Sequence, residues 1–131
     1  MLKFFSNHRI IFYFLNFSLI FLYLYPGSIL GQLIYGSKKM QPQITPDFII
    51  SSNHFYVFVL LTIIGFLTFL DLKLVKILVV YLILLSIILE CLHLLIPGRT
   101  FQWSDLFGNL FGVIIVIFIN NLINKYGSYK K

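Results

Sequence analysis

Residues 90–112, ECLHLLIPGRTFQWSDLFGNLFG, decide the fold, because they place a short polar turn between two long apolar runs. An apolar run of about 20 residues spans the roughly 30 Å hydrocarbon core of a bilayer as a helix. Pro97 and Gly98 stop the run before the turn, since proline interrupts the helical hydrogen bonds and glycine accepts the left-handed conformation that ends helices. The stretch predicts two neighbouring antiparallel membrane helices, at about residues 74–96 and 105–123.

The composition of the whole chain agrees with a membrane protein. The 131 residues are 60% hydrophobic and only 11% charged, which excludes an ordinary water-soluble domain. The net charge is +6, but the basic residues are scattered at the ends of apolar runs and are not clustered with aromatic residues, so we expect no nucleic-acid partner. The single cysteine, Cys91, excludes an intrachain disulfide.

Two further spans are predicted before the deciding stretch. The apolar run that starts at Ile10 is longer than the core of a signal peptide and lacks a small-x-small cleavage pattern, so it predicts a first membrane helix at about residues 10–30. Whether this helix kinks at Pro26 stays open. Residues 31–52 are polar and contain two prolines, which predicts an extracytoplasmic loop, and a second span follows at about residues 53–70. We therefore predict one all-α membrane domain over residues 1–131, with four transmembrane helices in a small antiparallel bundle.

The basic residues predict the orientation, because Lys and Arg are retained on the cytoplasmic side. With the amino terminus inside, seven of the ten basic residues lie inside and three lie outside. Both termini are therefore expected in the cytoplasm. The inside set is Lys3, Arg9, Lys73, Lys76, Lys125, Lys130 and Lys131, and the outside set is Lys38, Lys39 and Arg99.

This orientation gathers the polar residues of the last three spans at their outer ends. Glu90 and His93 are three residues apart, and Asp105 and Asn109 are four apart, so each pair shares one face of its helix. Glu90 lies roughly 10 Å below the helix end at Pro97. A charge at that depth is costly, so Glu90 should be partnered, protonated or placed in a wet cleft.

Most of these residues also have a purely structural interpretation. Asp105 follows Ser104 at a helix start, where either side chain can cap free amides. His54 and Trp103 suit the membrane interface, and Arg99 suits a solvated turn. Glu90 is the exception, because an intramembrane acid is a functional hypothesis by default.

Over residues 53–112 the chain resembles the VanZ-like family, small multispanning bacterial membrane proteins named for a member of a glycopeptide-resistance cluster. It departs from the family pattern at Ile50 and Ser51, where the family often has an Asp-Lys pair, and at His93, where it usually has glutamine. The residues that carry the resemblance are His54-Phe55, Glu90, Pro97-Gly98-Arg99, Asp105, Asn109 and Gly112.

The resemblance implies a multi-pass protein of the bacterial cytoplasmic membrane that is related to teicoplanin-resistance proteins. We expect it to bind a membrane lipid or a lipid-linked cell-wall precursor at the outer leaflet, and whether it also catalyses a reaction stays open. In this interpretation Glu90 and Asp105 are the catalytic residues. The substrate-binding residues are His54, His93, Arg99 and Asn109. The alternatives are a non-catalytic adaptor protein and, with less support, a small proton-linked transporter.

Two further expectations concern a metal and a partner. His54, Glu90, His93 and Asp105 could be combined into a metal site, but a family glutamine at position 93 argues against a required ligand there, so we expect no metal and no cofactor. Gly108-x-x-x-Gly112 is a small-residue pattern that lets a second helix approach closely. It is the expected contact with a second copy or with another membrane protein.

Overall fold

The computed structural model describes Phe4 and residues 9–127, and this part of the chain is helical with no strand. The all-α prediction is confirmed for these residues. Lys3, Lys130 and Lys131, which contribute to the predicted orientation, lie outside them. The helices are α1 (Arg9–Leu24), α2 (Ile29–Tyr35), α3 (Ser52–Thr68), α4 (Leu72–Leu92) and α5 (Trp103–Gly127), and a 3₁₀ turn (His93–Leu95) extends α4.

Two helical segments are long and apolar enough to cross a membrane, at Leu72–Leu95 and Trp103–Lys125. They agree with the predicted spans at 74–96 and 105–123. The pair α1 and α2 passes the same test only when both are taken together, which makes up to three candidate spans. Helix α3 is apolar but has only 17 residues. The structure therefore supports a helical membrane protein with two to three candidate spans.

The predicted first helix is divided by a sharp bend between α1 and α2, whose axes differ by 77°. Pro26 removes a backbone donor, and Gly27 has a φ of 92°, which a residue with a side chain rarely adopts. Ser28 then caps α2 through its side chain, which accepts from the amide of Gly31. Residues 31–35, which were expected in the loop, thus belong to a second short helix.

Helices α3 and α5 run side by side in the same direction and approach each other through glycine. An added Cβ at Gly108 would lie 2.7 Å from the carbonyl oxygen of Ser51, and one at Gly112 would lie 2.6 Å from that of Phe55. The Ser51 amide also donates to the carbonyl of Ser104, at 3.1 Å. The sequence assigned these glycines to a contact with a second protein, whereas in the structure α3 of the same chain covers that face.

The apolar core lies between α1, α3, α4 and α5, and large apolar side chains also cover the outer surface. Phe58, Leu82 and Val113 are fully buried. Phe17 and Phe118, by contrast, are more than half exposed. Extensive exposed apolar surface on a helical protein is typical of contact with lipid.

The loop between α2 and α3 is fixed to the first turn of α3. The side chain of Asn53 accepts from the amide of Ile44 at 3.0 Å and donates to the carbonyl of Pro42 at 2.6 Å. Ser52 donates to the carbonyl of Thr45, at 2.5 Å. These contacts hold residues 42–45 over the end of the bundle where α3 and α5 begin.

Candidate functional site

The hydroxyl of Tyr23, at the end of α1, is the centre of a buried polar cluster. It lies 2.5 Å from Nδ1 of His54 and 3.4 Å from Oε2 of Glu90. Nδ2 of Asn109 donates to it at 2.6 Å. One phenol therefore contacts side chains from α3, α4 and α5, although no pattern in the sequence distinguishes this tyrosine from the other seven.

Two histidines enclose the ring of Tyr23. The His93 ring stacks on it with centroids 4.9 Å apart and planes 15° apart. The His54 ring lies at the same distance, tilted by 58°. All three side chains are at least nine-tenths buried, so their orientations are fixed by packing as well as by hydrogen bonds.

Glu90 is completely buried and is partnered, which was one of the three states expected from its depth. Its Oε1 accepts from the backbone amide of Gln102 at 2.9 Å. Nδ1 of His93 lies 3.3 Å from both carboxyl oxygens. The tight turn between α4 and α5 thus folds back to supply a backbone donor to the glutamate, a partner that no side-chain pattern could reveal.

The hydrogen bonds of His93 determine how many protons it shares with Glu90. Nε2 of His93 lies 3.1 Å from the carbonyl oxygen of Tyr23, which can only accept, so Nε2 carries a proton. Nδ1 faces the Glu90 carboxyl group at 3.3 Å, so the imidazole and the carboxyl group are placed to share a proton. A pair that shares one proton in this way has no net charge. A neutral pair is far less costly in an apolar environment than a lone carboxylate.

His54 connects the Tyr23 hydroxyl with Asp105. Its Nδ1 contacts the phenol, and its Nε2 lies 3.7 Å from Oδ2 of Asp105. That separation is too long for a direct hydrogen bond. Asp105 lies in the first turn of α5, where the positive end of the helix dipole favours a carboxylate.

Asn109 is completely buried and ties three helices together. In addition to its contact with Tyr23 of α1, its Nδ2 donates to the backbone carbonyl of Ser86 in α4, at 3.2 Å. Both amide protons are thus used. Asn109 therefore fixes the position of the phenol relative to α4 and α5.

Arg99 holds the bend between α1 and α2. Its Nε and Nη2 donate to the carbonyl of Tyr25, each at 3.3 Å, and Nη2 also donates to the carbonyl of Gly27, at 2.7 Å. These bonds use three of the five guanidinium protons, which leaves the two on Nη1 for another acceptor. Arg99 is therefore partly committed to structure while it keeps its charge and two donors.

Two cavities meet at His54. The larger has a volume of about 290 Å³ and is lined mostly by apolar residues of α1, α2, α3 and the loop, such as Leu19, Ile29 and Val57. Tyr23, His54, His93 and Arg99 also line it. The smaller has a volume of about 150 Å³, and its lining is polar: Gln41, Gln43, Asp47, Ser51, Asn53, His54, Gln102 and Asp105.

The structure brings together five of the six predicted site residues and places the sixth beside them. His54, Glu90, His93, Asp105 and Asn109 form the cluster around Tyr23, and Arg99 lines the larger cavity with Tyr23, His54 and His93. Donor atoms of His54, Glu90 and Asp105 lie within 4.8 Å of one another, which makes these three residues candidate ligands for a metal ion. Tyr23 and the Gln102 amide are the members that sequence reasoning missed.

No protein-family model, curated protein or solved structure matches the chain. Function is therefore inferred from the side chains and cavities themselves.

Proposed function

We propose that this chain is a membrane protein of the bacterial cell envelope that binds a lipid or a lipid-linked wall precursor at the outer leaflet and acts on its head group. The observation that carries the proposal is the pair of adjoining cavities, one apolar and one polar, which share His54. An amphiphile needs such a pair. Its apolar chain occupies the larger cavity, and its head group reaches the polar cluster.

The residues of the cluster suit distinct roles toward such a head group. Glu90, which shares a proton with His93, is the candidate acid or base, and Asp105 is the second candidate catalytic carboxylate. His54 and Asn109 orient the phenol between them. Arg99 attracts an anionic group such as a phosphate through its charge and the free donors on Nη1.

In this proposal the chain crosses the membrane four times and has both termini in the cytoplasm. Helices α1 and α2 together form the first crossing, and α3 forms the second. The distribution of basic residues supports it. In this orientation the polar cluster and both cavities face the outer leaflet.

Cysteine labelling tests this orientation. In a Cys91→Ser background, an impermeant maleimide should label Ile44→Cys in intact cells and should label Lys73→Cys only after the cells are opened. Labelling in the opposite order would contradict the orientation and the outer-leaflet site.

Lipid binding is tested by filling the larger cavity. Val57 lines it, whereas Val80 of α4 is 58% exposed and is not among its lining residues. Native mass spectrometry of the purified chain should show a retained lipid that Val57→Trp loses and Val80→Trp keeps. Equal retention by both variants, or no retained lipid in the unmodified chain, would overturn the proposal.

The action on the head group is tested in cells that need the protein, with teicoplanin susceptibility as the readout. Glu90→Gln keeps the size of the buried side chain but cannot exchange a proton, so it should abolish function at normal protein abundance. Undiminished function in Glu90→Gln would exclude the acid or base role.

A non-catalytic adaptor protein is the second candidate, and one observation favours it. The Tyr23 and Asn109 contacts tie α1, α3, α4 and α5 together, as a purely structural network would. In that case every substitution in the cluster should lower abundance in proportion to the lost function. A proton-linked transporter has less support, since Asn121 and Asn124 lie exposed on α5 and offer no titratable path toward the other side.

A further inference from the structure

We propose that His54, Glu90 and Asp105 bind a divalent transition-metal ion of the Zn²⁺ or Mn²⁺ class. Their donor atoms come from three different helices and lie within 4.8 Å of one another. Donors around one ion with bonds of about 2.1 Å lie roughly 3 to 4.2 Å apart, so a pair separated by 4.8 Å must close by about 0.6 Å or more to complete the site. His93, which belongs to the four-residue metal set considered from the sequence, lies outside this set, because in the structure it contacts Glu90 and the Tyr23 carbonyl.

Hydrogen bonding does not explain the distance between the side chains of His54 and Asp105. Nε2 and Oδ2 are 3.7 Å apart, beyond hydrogen-bonding distance, while each side chain is held from its other end. Two ligands of a single ion have this separation. The pair is thus better suited to share a cation than to share a proton.

The surroundings orient the three ligands as metal sites require. Metal-binding histidines generally donate their second ring proton to a neighbouring acceptor, and Nδ1 of His54 has the Tyr23 hydroxyl at 2.5 Å. Glu90 is held by the Gln102 amide and by His93. Asn109 fixes Tyr23 in turn.

The charges also favour an ion of this kind. Glu90 and Asp105 each offer a carboxylate oxygen, and a divalent ion beside them would balance the negative charge of carboxylate ligands. One imidazole with two carboxylates suits Zn²⁺ or Mn²⁺ better than Ca²⁺ or Mg²⁺, which prefer oxygen ligands alone.

The polar cavity supplies access to the ion. His54 and Asp105 both line this space of about 150 Å³, where amide and carboxylate side chains can hold water molecules. An ion could therefore keep water ligands that exchange with a substrate group, as in catalytic metal sites. This inference concerns metal binding alone and does not require that a lipid is bound.

Metal content after dialysis tests the site directly. The chain is reconstituted in lipid nanodiscs, dialysed against micromolar ZnCl₂ or MnCl₂ with excess MgCl₂ and CaCl₂, and analysed by mass spectrometry of the elements. We expect one Zn²⁺ or Mn²⁺ ion per chain. His54→Ala and Asp105→Asn should weaken binding at least about 100-fold, and Tyr23→Phe, which removes the hydroxyl that orients His54, by about 10- to 100-fold.

Cys91→Ser is the matched control, because Cys91 directly follows Glu90 but is exposed and lies outside the proposed ligand set. It should bind the ion within about threefold of the unmodified chain, and circular dichroism should show that all variants remain helical. Co²⁺ provides a second readout, since its visible absorption should change when the His54 imidazole is lost. Stoichiometric binding that survives His54→Ala and Asp105→Asn, a preference for Ca²⁺ or Mg²⁺, or no retained ion would each overturn the inference.

Discussion

The phenolic oxygen of Tyr23 lies 2.5 Å from Nδ1 of His54, and this contact joins the end of α1 to the first turns of α3. The two residues are 31 positions apart and come from different predicted spans. A neutral phenol therefore assembles the charged and titratable residues of the cluster.

Removal of the Tyr23 hydroxyl should destabilise the whole bundle. In Tyr23→Phe, His54 and Asn109 each lose a buried hydrogen-bonding partner, and an unsatisfied buried group costs about 1–3 kcal/mol. Thermal unfolding of the purified chain should show a clearly lower midpoint. Tyr35→Phe is the control, because Tyr35 is half exposed, and it should unfold at the original temperature. Equal midpoints for the two variants would contradict the central role of the hydroxyl.

A methyl group at Gly112 should separate α3 from α5. The added Cβ of Gly112→Ala meets the backbone carbonyl of Phe55 at 2.6 Å, and backbone cannot move aside cheaply. Overpacking of this kind costs about 1–3 kcal/mol. Gly65→Ala is the comparison, since its Cβ meets Cδ2 of Leu78 at 2.8 Å, at the end of a flexible side chain. Denaturant unfolding should show the larger loss in Gly112→Ala, and the reverse order would refute the close approach of the two helices.

The bend between α1 and α2 should depend on the shape of Arg99 as well as on its charge. Lysine keeps the charge but cannot hold the Tyr25 and Gly27 carbonyls with a planar fork. Spin labels at Leu33 and Val80, in a Cys91→Ser background, should give a broader distance distribution in Arg99→Lys. Lys39→Gln changes an exposed charge nearby and should leave the distribution narrow. An unchanged distribution in Arg99→Lys would show that the bend is held by other contacts.

Loss of Asn53 should loosen the loop over the cavities. Asn53→Ala removes both the acceptor for the Ile44 amide and the donor to the Pro42 carbonyl. Hydrogen exchange of residues 42–45 should become faster, because local opening there no longer breaks these bonds. Tyr56→Phe removes only an exposed contact with Thr45, so residues 42–45 should exchange at the original rate in this variant. Protection that persists in Asn53→Ala would place the main restraint elsewhere.

Sequence reasoning located the helices with continuous apolar character and missed where the backbone turns. The limits of α4 and α5 follow from their apolar runs and from Pro97 and Gly98 between them. The bend after α1 does not follow from the sequence, since Pro26 is also compatible with a kinked single span. Its 77° angle depends on the left-handed Gly27 and on the Ser28 amide, which donates to the distant Lys38 carbonyl.

In the candidate site, too, some members could be identified from residue type and others only from the structure. Glu90, His54, Asp105 and Asn109 could be identified because polar residues are conspicuous in apolar helices. Tyr23 could not, since an aromatic residue is unremarkable in a membrane helix and only its contacts distinguish it. The Gln102 amide is a backbone group and is invisible to any argument from residue type.

The end of α1 also constrains the order in which the protein can assemble. The last carbonyls of a helix have no partner within it. Here the carbonyl of Tyr23 and that of Tyr25, the residue after α1, accept from His93 and Arg99, 70 and 74 residues later in the chain. The carboxyl end of α1 is thus completed by residues that are synthesised 70 and 74 positions later. Until His93 and Arg99 have emerged, a nascent chain holds α1 with its carboxyl end open, so the site can form only after the turn between α4 and α5 has been synthesised.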